Sequence, residues 1–493
     1  MMNTSCSLKS RPVLSKVIFV YVFCVLLVFG VSGYFNSNTN GISFKSSSSD
    51  DSQQNCFCEL KGSINDCGCN VDTVDHFNNV KIYPRLQSLL VKNFFRYFQV
   101  NLQKECPFWK DDSKCAMRYC HVESCEEGDI PDGIRAASGD FPEESPNFKY
   151  KESSQSFPET NCLEDEDLIQ ELSYLNTTIS SRAQEEFEKW QLYDEADENF
   201  CILDNSKDGA EYVDLLLNPE RYTGYKGDSA HRIWKNIYLE NCFDTDTVNL
   251  RSYLPPAVDL DQVCFEQRAF YRIISGLHSS INIHLCSKYL LDDSSSLLFG
   301  KEGGNWGHNV DEFRRRFGPE GTGGQGPQWL KNLYFIYLVE LRALAKAAPY
   351  LEDEIFYTGE TEEDDEVRMA VKELLSVVKS FPSHFNESLM FSSKLGAIKL
   401  KQDFREKFRN ISRIMDCVGC DKCRLWGKVQ TQGLGTALKI LFSDKINRYT
   451  VPTKYVERQQ FKLTRTEIVT LFNAFGRLSN SIRELENFRE FIR

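Results

Sequence analysis

The sequence carries no glycine-rich dinucleotide fingerprint, so composition and spacing alone offer no nucleotide or flavin cofactor. It also lacks any excess of positive charge. Lys and Arg number 58 against 71 Asp and Glu, a formal net charge of -13, which excludes nucleic acid as an expected partner and mainly confers solubility. No internal repeat and no convincing alternation of apolar and polar residues occurs, so a strand-rich fold is not expected. Histidine is scarce, at seven, and none lies near the cysteines at 417–423, which leaves a zinc site there short of ligands. What remains is a 493-residue chain that is 41% hydrophobic and 13% aromatic and has 18 cysteines. Its length allows roughly three domains at most, or one large helical domain with an extensive core.

Residues 1–33 read as a secretory signal peptide, with Lys9, Arg11 and Lys16 before an apolar stretch and small residues Ser32 and Gly33 at its end. The apolar stretch falls short of the roughly 20 residues of a membrane span; an uncleaved anchor is the alternative. Secretory entry turns the 16 cysteines beyond the signal toward disulfide chemistry. Triplets at Asn176, Asn386 and Asn410 are glycosylation acceptors compatible with that route.

Residues 34–55 form a polar, flexible leader, and a cysteine-rich segment spans 56–125. Residues 126–165, mixing Pro, Gly, Ser and acids and carrying Cys162, are expected to be a mobile acidic loop. From 166 to 493 apolar residues recur at helical spacing, giving a mainly α-helical body. Thr464 and Glu467 predict a capping box before a helix whose apolar face runs through Ile468, Leu471, Phe472, Phe475, Leu478, Ile482, Leu485 and Phe488. That helix is expected to pack on the core rather than act on substrate. The acidic run 360–366 reads as a solvated loop rather than a metal site, and no metal is expected elsewhere.

The decisive segment places Cys417, Cys420 and Cys423 at steps of three in a helix-like context, where such residues share a face. A bridge between Cys420 and Cys423 would close a small loop and gain little chain entropy, so redox use is favoured over stabilisation. Lys422 and Arg424 are expected to favour thiolates there, and a helix N-terminus would add to this. Zinc and a plain structural disulfide compete with that use. In a second cluster, Cys106, Cys115, Cys120 and Cys125, the Cys115 and Cys120 pair suits a mobile shuttle or, equally on spacing, a stapled surface loop. A third, Cys56 and Cys58 with Cys67 and Cys69, suits two nested bridges across a hairpin.

These motifs have company: Cys106-Pro-Phe-Trp, the blocks 211–227 and 268–278, Trp306-Gly-His, Leu330-Lys-Asn-Leu-Tyr-Phe, and 432–442. With them the chain resembles the endoplasmic-reticulum oxidoreductins, flavoprotein oxidases that reoxidise protein disulfide isomerase. The resemblance implies a single large helical domain enclosing FAD, with a disulfide-stapled N-terminal hairpin and a long flexible shuttle loop. It implies electron flow from reduced protein disulfide isomerase through Cys115 and Cys120 to Cys420 and Cys423, then to FAD and O2, producing hydrogen peroxide. Cys423 would face the flavin and Cys420 would receive the shuttle's attack. Flavin contacts carry over onto Arg221, Thr223, Trp234, Ser275, His278 and Arg316. Trp329 stands where vertebrate relatives have a basic residue touching the cofactor.

An inactive form is implied in which Cys115 pairs with Cys162 and Cys120 with Cys125, alongside a long-range tie between Cys106 and Cys417. Structural bridges are implied for Cys56 with Cys69, Cys58 with Cys67, and Cys242 with Cys264; Cys201 and Cys286 are left as thiols. The expected location is the lumen of the endoplasmic reticulum, as a monomer held by retained partners or peripherally at the membrane, since the last residues are not a Lys-Asp-Glu-Leu-type signal. The rival from another class is a non-catalytic, disulfide-stapled lumenal binding protein.

Overall fold

Apolar residues returning every three or four positions need one continuous buried stripe, and long helices packed on each other provide it. In the computed structural model, residues 60–109, 120–136, 198–204, 209–221, 228–241, 260, 263–292, 305–382, 384–392, 397–443, 446, 461 and 463–492 are described. Cys56, Cys58, Cys115, Cys162, Asn176, Thr223 and Cys242 lie outside these residues, as do the signal and the leader. Among those described, the long helices are α1 (Asp228–Asn241), α2 (Phe265–Ser287), α3 (Gly326–Glu352), α4 (Thr361–Ser380), α5 (Ala397–Met415), α6 (Asp421–Phe442) and α7 (Arg465–Ile492). The fold is mainly α, as expected. The described strands form antiparallel pairs only: Ser63–Ile64 with Cys69–Asn70, Tyr97–Val100 with Glu211–Asp214, and Tyr289–Asp292 with Asn305–Gly307. No described helix is long and apolar enough to cross a membrane.

Two helix pairs form the centre, α2 against α3 and α6 against α7. Glycine allows each approach. A Cβ at Gly276 of α2 would run into the Asn332 carbonyl of α3, and one at Gly433 of α6 into the Thr470 carbonyl of α7. The start of α7 has the predicted reciprocal cap: Thr464 N–H donates to the Glu467 carboxylate at 2.8 Å, and Glu467 N–H to Thr464 Oγ1 at 3.2 Å. All eight residues of its predicted apolar face are buried.

The acidic run is not a loop. From Thr361 on it forms the first turns of α4, with Glu362, Glu363 and Asp364 in the first turn, where the positive end of the helix dipole favours carboxylates. Asp364 accepts bonds from Thr358 N–H and Oγ1, both at 2.7 Å, and so ties the preceding turn to the helix. The start of the expected acidic loop is also ordered. Residues Asp132–Ala136 are helical, and Ile130 and Ile134 pack against Tyr97.

At the N-terminal side, the hairpin turns through Asp66 (φ 62°) and Gly68 (φ 55°). The Asp66 carboxylate accepts from Arg268, at 3.0 Å, and from Arg272, both on α2. Cys67 and Cys69 are buried in this hairpin, and burial raises both thiols.

A buried charge network joins distant segments. Lys428 Nζ of α6 lies 2.9 Å from Asp204 and 2.5 Å from Asp416, and Asp204 also takes Lys104 at 2.8 Å. Burial alone would raise the Asp204 carboxyl, but Lys428 and Lys104 outweigh it and hold the group below its ordinary value. Its stabilising effect is therefore present above the unfolded carboxyl value, near pH 4, and is lost as pH falls through the lower folded value. Asp204→Asn is expected to cost about 3 kcal/mol at neutral pH, because a buried ammonium loses one of its two carboxylates. Denaturant unfolding at pH 7 and pH 3 checks this: the difference between wild type and variant should shrink at the lower pH.

Candidate active site

The three motif cysteines do not share one helical face. Helix α5 ends at Met415 and α6 begins at Asp421, so Cys417 lies in the break between them and Cys420 is the extended N-cap of α6. The reason is tertiary. Cys417 is joined by a disulfide to Cys106, 311 residues away in sequence, with Cα atoms 4.5 Å apart. That tie holds the break against the Cys106-Pro-Phe-Trp109 segment, where Trp109 N–H donates to Cys106 Sγ at 3.4 Å.

Cys423 falls one turn into α6, next to Cys420. Cys420 is fully buried, whereas Cys423 keeps some exposure. Cys120 meets this same turn: its carbonyl accepts from Lys422 N–H at 3.0 Å, satisfying one of the amides that a helix start leaves open, and its thiol lies 4.0 Å from the Gly419 carbonyl. Thus Cys120, Cys420 and Cys423 converge at one helix N-terminus. Cys125 is a thiol in this structure, so its implied tie to Cys120 is not formed here. Burial pushes the Cys125 thiol up to about 11.

The expected thiolate support is only partly present. Arg424 turns away from the sulfurs, its Nε donating to the Val418 carbonyl at 2.7 Å and its Nη1 to the Leu102 carbonyl. The hydrogen bond shared with Cys420, burial, and the negative fields of Cys420, Glu220 and Cys120 push the Cys423 thiol well above its ordinary value. The expectation that Arg424 favours thiolates is therefore corrected: backbone carbonyls take up its guanidinium, and the neighbouring Cys420 together with burial favours the protonated Cys423 thiol.

Four of the residues expected to touch a flavin, Trp234, Ser275, His278 and Arg316, gather around α2. The Trp234 ring of α1 stacks on the His278 ring at 3.5 Å and 12°, and Tyr238 Oη lies 3.1 Å from His278 Nδ1. Ser275, one turn before His278, accepts from Asn332 Nδ2 of α3 at 2.9 Å. Arg316, on the short helix Val310–Phe317, donates to Asn282 of α2 and, at 2.7 Å, to Glu312. Arg221 lies over the Trp306 ring at 5.0 Å. Trp329 is buried with its ring N–H unpartnered, and its carbonyl accepts from Ser279 of α2 at 3.0 Å. Guanidiniums for a diphosphate, flat aromatic faces for a ring and a buried donor lacking an acceptor fit a flavin dinucleotide.

Other expected positions are dispersed. Cys264 is the exposed N-cap of α2, and Asn386 is exposed in a short turn, its Oδ1 taking Ser388 N–H at 3.1 Å. Asn410 lies inside α5, bonded by Arg413. Cys286 is buried within α2, where burial pushes its thiol up to about 12. Cys201 is buried with its sulfur 3.8 Å from the Gln432 carbonyl. No group of metal-ligating side chains occurs among the described residues.

Sequence reasoning missed Glu220, Arg477 and His284, a buried charged group of which Glu220 adds its negative field to Cys423. Glu220 and Arg477 form a buried ion pair, and His284 Nε2 stands 3.5 Å from Glu220 Oε2. The available signal was the polar side of α7, where Thr470, Asn473, Arg477, Ser481 and Glu484 recur at helical spacing and are all buried.

Fold and site together define a class: a helical protein with a dithiol at a helix N-terminus and, around α2, an aromatic and cationic cluster. Comparison with known proteins makes the assignment specific. The family described as Endoplasmic Reticulum Oxidoreductin 1 (ERO1) matches residues 81–485, and the chain belongs to that family. It is 61% identical over 464 residues to an Ero1-like protein of Drosophila melanogaster, covering 93% of this chain and 95% of that one. It is 48% identical over 457 residues to ERO1-like protein alpha of Homo sapiens, covering 89% and 92% respectively. Its fold matches the solved structure of Ero1p, described as a source of disulfide bonds for oxidative protein folding in the cell, with a TM-score of 0.55 and 27% identity over 86% of this chain and 98% of that one. Family membership makes the chain an oxidoreductase acting on disulfides, within a flavoenzyme family of oxidative protein folding in the endoplasmic reticulum.

Proposed function

We propose that this chain generates disulfides de novo in the endoplasmic-reticulum lumen by oxidising reduced protein disulfide isomerase. The observation that carries this is the convergence of Cys120 with Cys420 and Cys423 at the start of α6. Each protein step is thiol–disulfide exchange: a substrate thiolate attacks the Cys115–Cys120 disulfide, and the released pair then reduces the Cys420–Cys423 disulfide, with Cys420 receiving the attack. One disulfide forms for each one broken, so two electrons and two protons pass inward per turnover. FAD, held by Arg221, Thr223, Trp234, Ser275, His278 and Arg316, would supply the two-electron acceptor whose reoxidation by O2 gives hydrogen peroxide. The cation positions counter a diphosphate, and the Trp234 and His278 faces exclude water from a ring lying against them.

The test uses the full chain purified after expression in a secretory host. We expect yellow protein that releases near-stoichiometric FAD on denaturation and makes one peroxide per dithiol oxidised when given reduced isomerase in air. Colourless protein with no peroxide output would leave the non-catalytic binding protein as the better description.

A further inference from the structure

A neighbouring pair of large apolar side chains held out in water by a fixed turn is the exception in a chain whose helices bury theirs. Among the described residues, Leu216 and Leu217 are the only consecutive large apolar residues that are both exposed, at 44% and 62%, while Leu215 beside them is buried. Their backbone is tied down. Leu216 N–H and Leu217 N–H both donate to Asp214 Oδ1, at 2.9 and 3.4 Å, and Asn218 N–H donates to the Asp214 carbonyl at 3.0 Å. Arg96 Nε holds the other carboxylate oxygen of Asp214 at 2.7 Å. A turn bonded in this way has little backbone freedom left to lose when a partner covers it, so most of the gain from covering its leucines goes into binding.

The same turn is clamped both to the segment that carries Cys120 and to the dithiol helix. Glu123 N–H donates to Asn218 Oδ1, and Asn218 Nδ2 to the Glu123 carbonyl, both at 2.8 Å. Ser124 and Cys125 continue this pairing along the strand Glu211–Asp214, where Ser124 bridges to Val213 and Cys125 N–H donates to the Tyr212 carbonyl at 2.8 Å. On the α6 side, Trp426 Nε1, one turn beyond Cys423, donates to the Asn218 carbonyl at 2.9 Å. Cys120 is three residues from Glu123, and Leu217 is bonded to Asn218, so the Cα atoms of Cys120 and Leu217 lie within about 20 Å of each other. A standard protein interface covers about 800 Å² on each partner, a disc about 30 Å across, and one such footprint spans both Cys120 and the leucines.

From this continuity we infer that Leu216 and Leu217 are a docking contact for the protein substrate, a reduced dithiol protein with an apolar cleft beside its cysteines. The partner lays that cleft over the two leucines while its thiol meets the Cys115–Cys120 pair. The inference deepens the oxidase reading and rests on it for the identity of the partner. Leucine can neither attack a disulfide nor carry a proton, so the contact acts on capture of the partner and leaves the exchange itself unchanged. Small dithiols, which bury no comparable apolar area, are oxidised without its help.

Calorimetry between the full chain and protein disulfide isomerase tests this, with the isomerase's active-site cysteines replaced by alanine so that no exchange takes place. The wild type should bind, and a Leu216→Ser, Leu217→Ser double variant should bind about tenfold more weakly, the effect of taking two leucine side chains out of a shared apolar contact. In turnover the same variant should raise KM for reduced isomerase by a similar factor, with kcat and the oxidation of dithiothreitol as in the wild type. Equal affinity of variant and wild type, or no binding by the wild type, would overturn the proposal. So would a wild-type dimer that the variant converts to a monomer at unchanged affinity for isomerase, because the leucines would then join two copies of this chain. Should the double variant fail to fold, Leu217→Ser alone, at the more exposed position, is judged on the same criterion. A wild type that oxidises neither isomerase nor dithiothreitol would count against the oxidase reading alone, because the binding measurement involves no exchange.

Discussion

Cys423→Ser is expected to lower oxidation of reduced isomerase by at least about a thousandfold, because removing one member of a catalytic unit costs nearly as much as removing all of it. Serine has nearly the same size, but its oxygen cannot form a disulfide and its hydroxyl ionises far too weakly to act as a nucleophile near pH 7. The fold should be unaffected. Cys423 is not joined to another cysteine in this structure and keeps some exposure, so the variant should melt with the wild type. Oxygen consumption and thermal unfolding, measured on the same preparation, separate the two effects. Residual oxidation above a few per cent of wild type would mean that another pair serves as the inner station. The Cys106–Cys417 bridge would then be the one to test, because it ends three residues before Cys420.

Gly276→Ala is expected to destabilise the protein by about 3 kcal/mol and to release flavin along with the loss. The direction is diagnostic. In an exposed helix interior this change stabilises by about 1 kcal/mol, since alanine is the better helix former. Here the new methyl would run into the Asn332 carbonyl of α3, a backbone atom that moves only if the helices separate. Ser275 and His278 lie on the adjoining turn, and Ser275 is bonded to the side chain of that same Asn332. Separation therefore disturbs the flavin-facing residues directly. Denaturant unfolding and the flavin absorbance of the purified variant check both parts. An unchanged midpoint with full flavin would show that α2 and α3 are less tightly apposed than the structure has them.

Much of the fold was legible because it rests on local rules. The α7 helix could be placed from Thr464, Glu467 and eight apolar residues, since capping and a 3.6-residue period depend only on near neighbours. The same rules misled at 360–366. A cluster of acids resembles a solvated loop, yet the helix dipole makes the first turn of α4 a favourable place for it. The step-of-three cysteines raised a similar difficulty. Their spacing suits one helix, and only the disulfide from Cys106 shows why the chain breaks at Cys417 and resumes at Asp421.

The sequence by itself determined the helical class, the cysteine pair with the spacing for redox exchange, and, through its motif blocks, the family. Those depend on residue identity and short spacing. Tertiary structure alone decided the charge state of the chemistry. Arg424, adjacent to Cys423 in sequence, spends its guanidinium on the carbonyls of Val418 and Leu102. Cys420 and burial weigh most on the Cys423 thiol, and Glu220, far from the pair in sequence, adds a negative field. A group's proton affinity follows from which neighbours exclude water around it and which charges lie within a few ångströms, and a folded chain draws those neighbours from anywhere along its length.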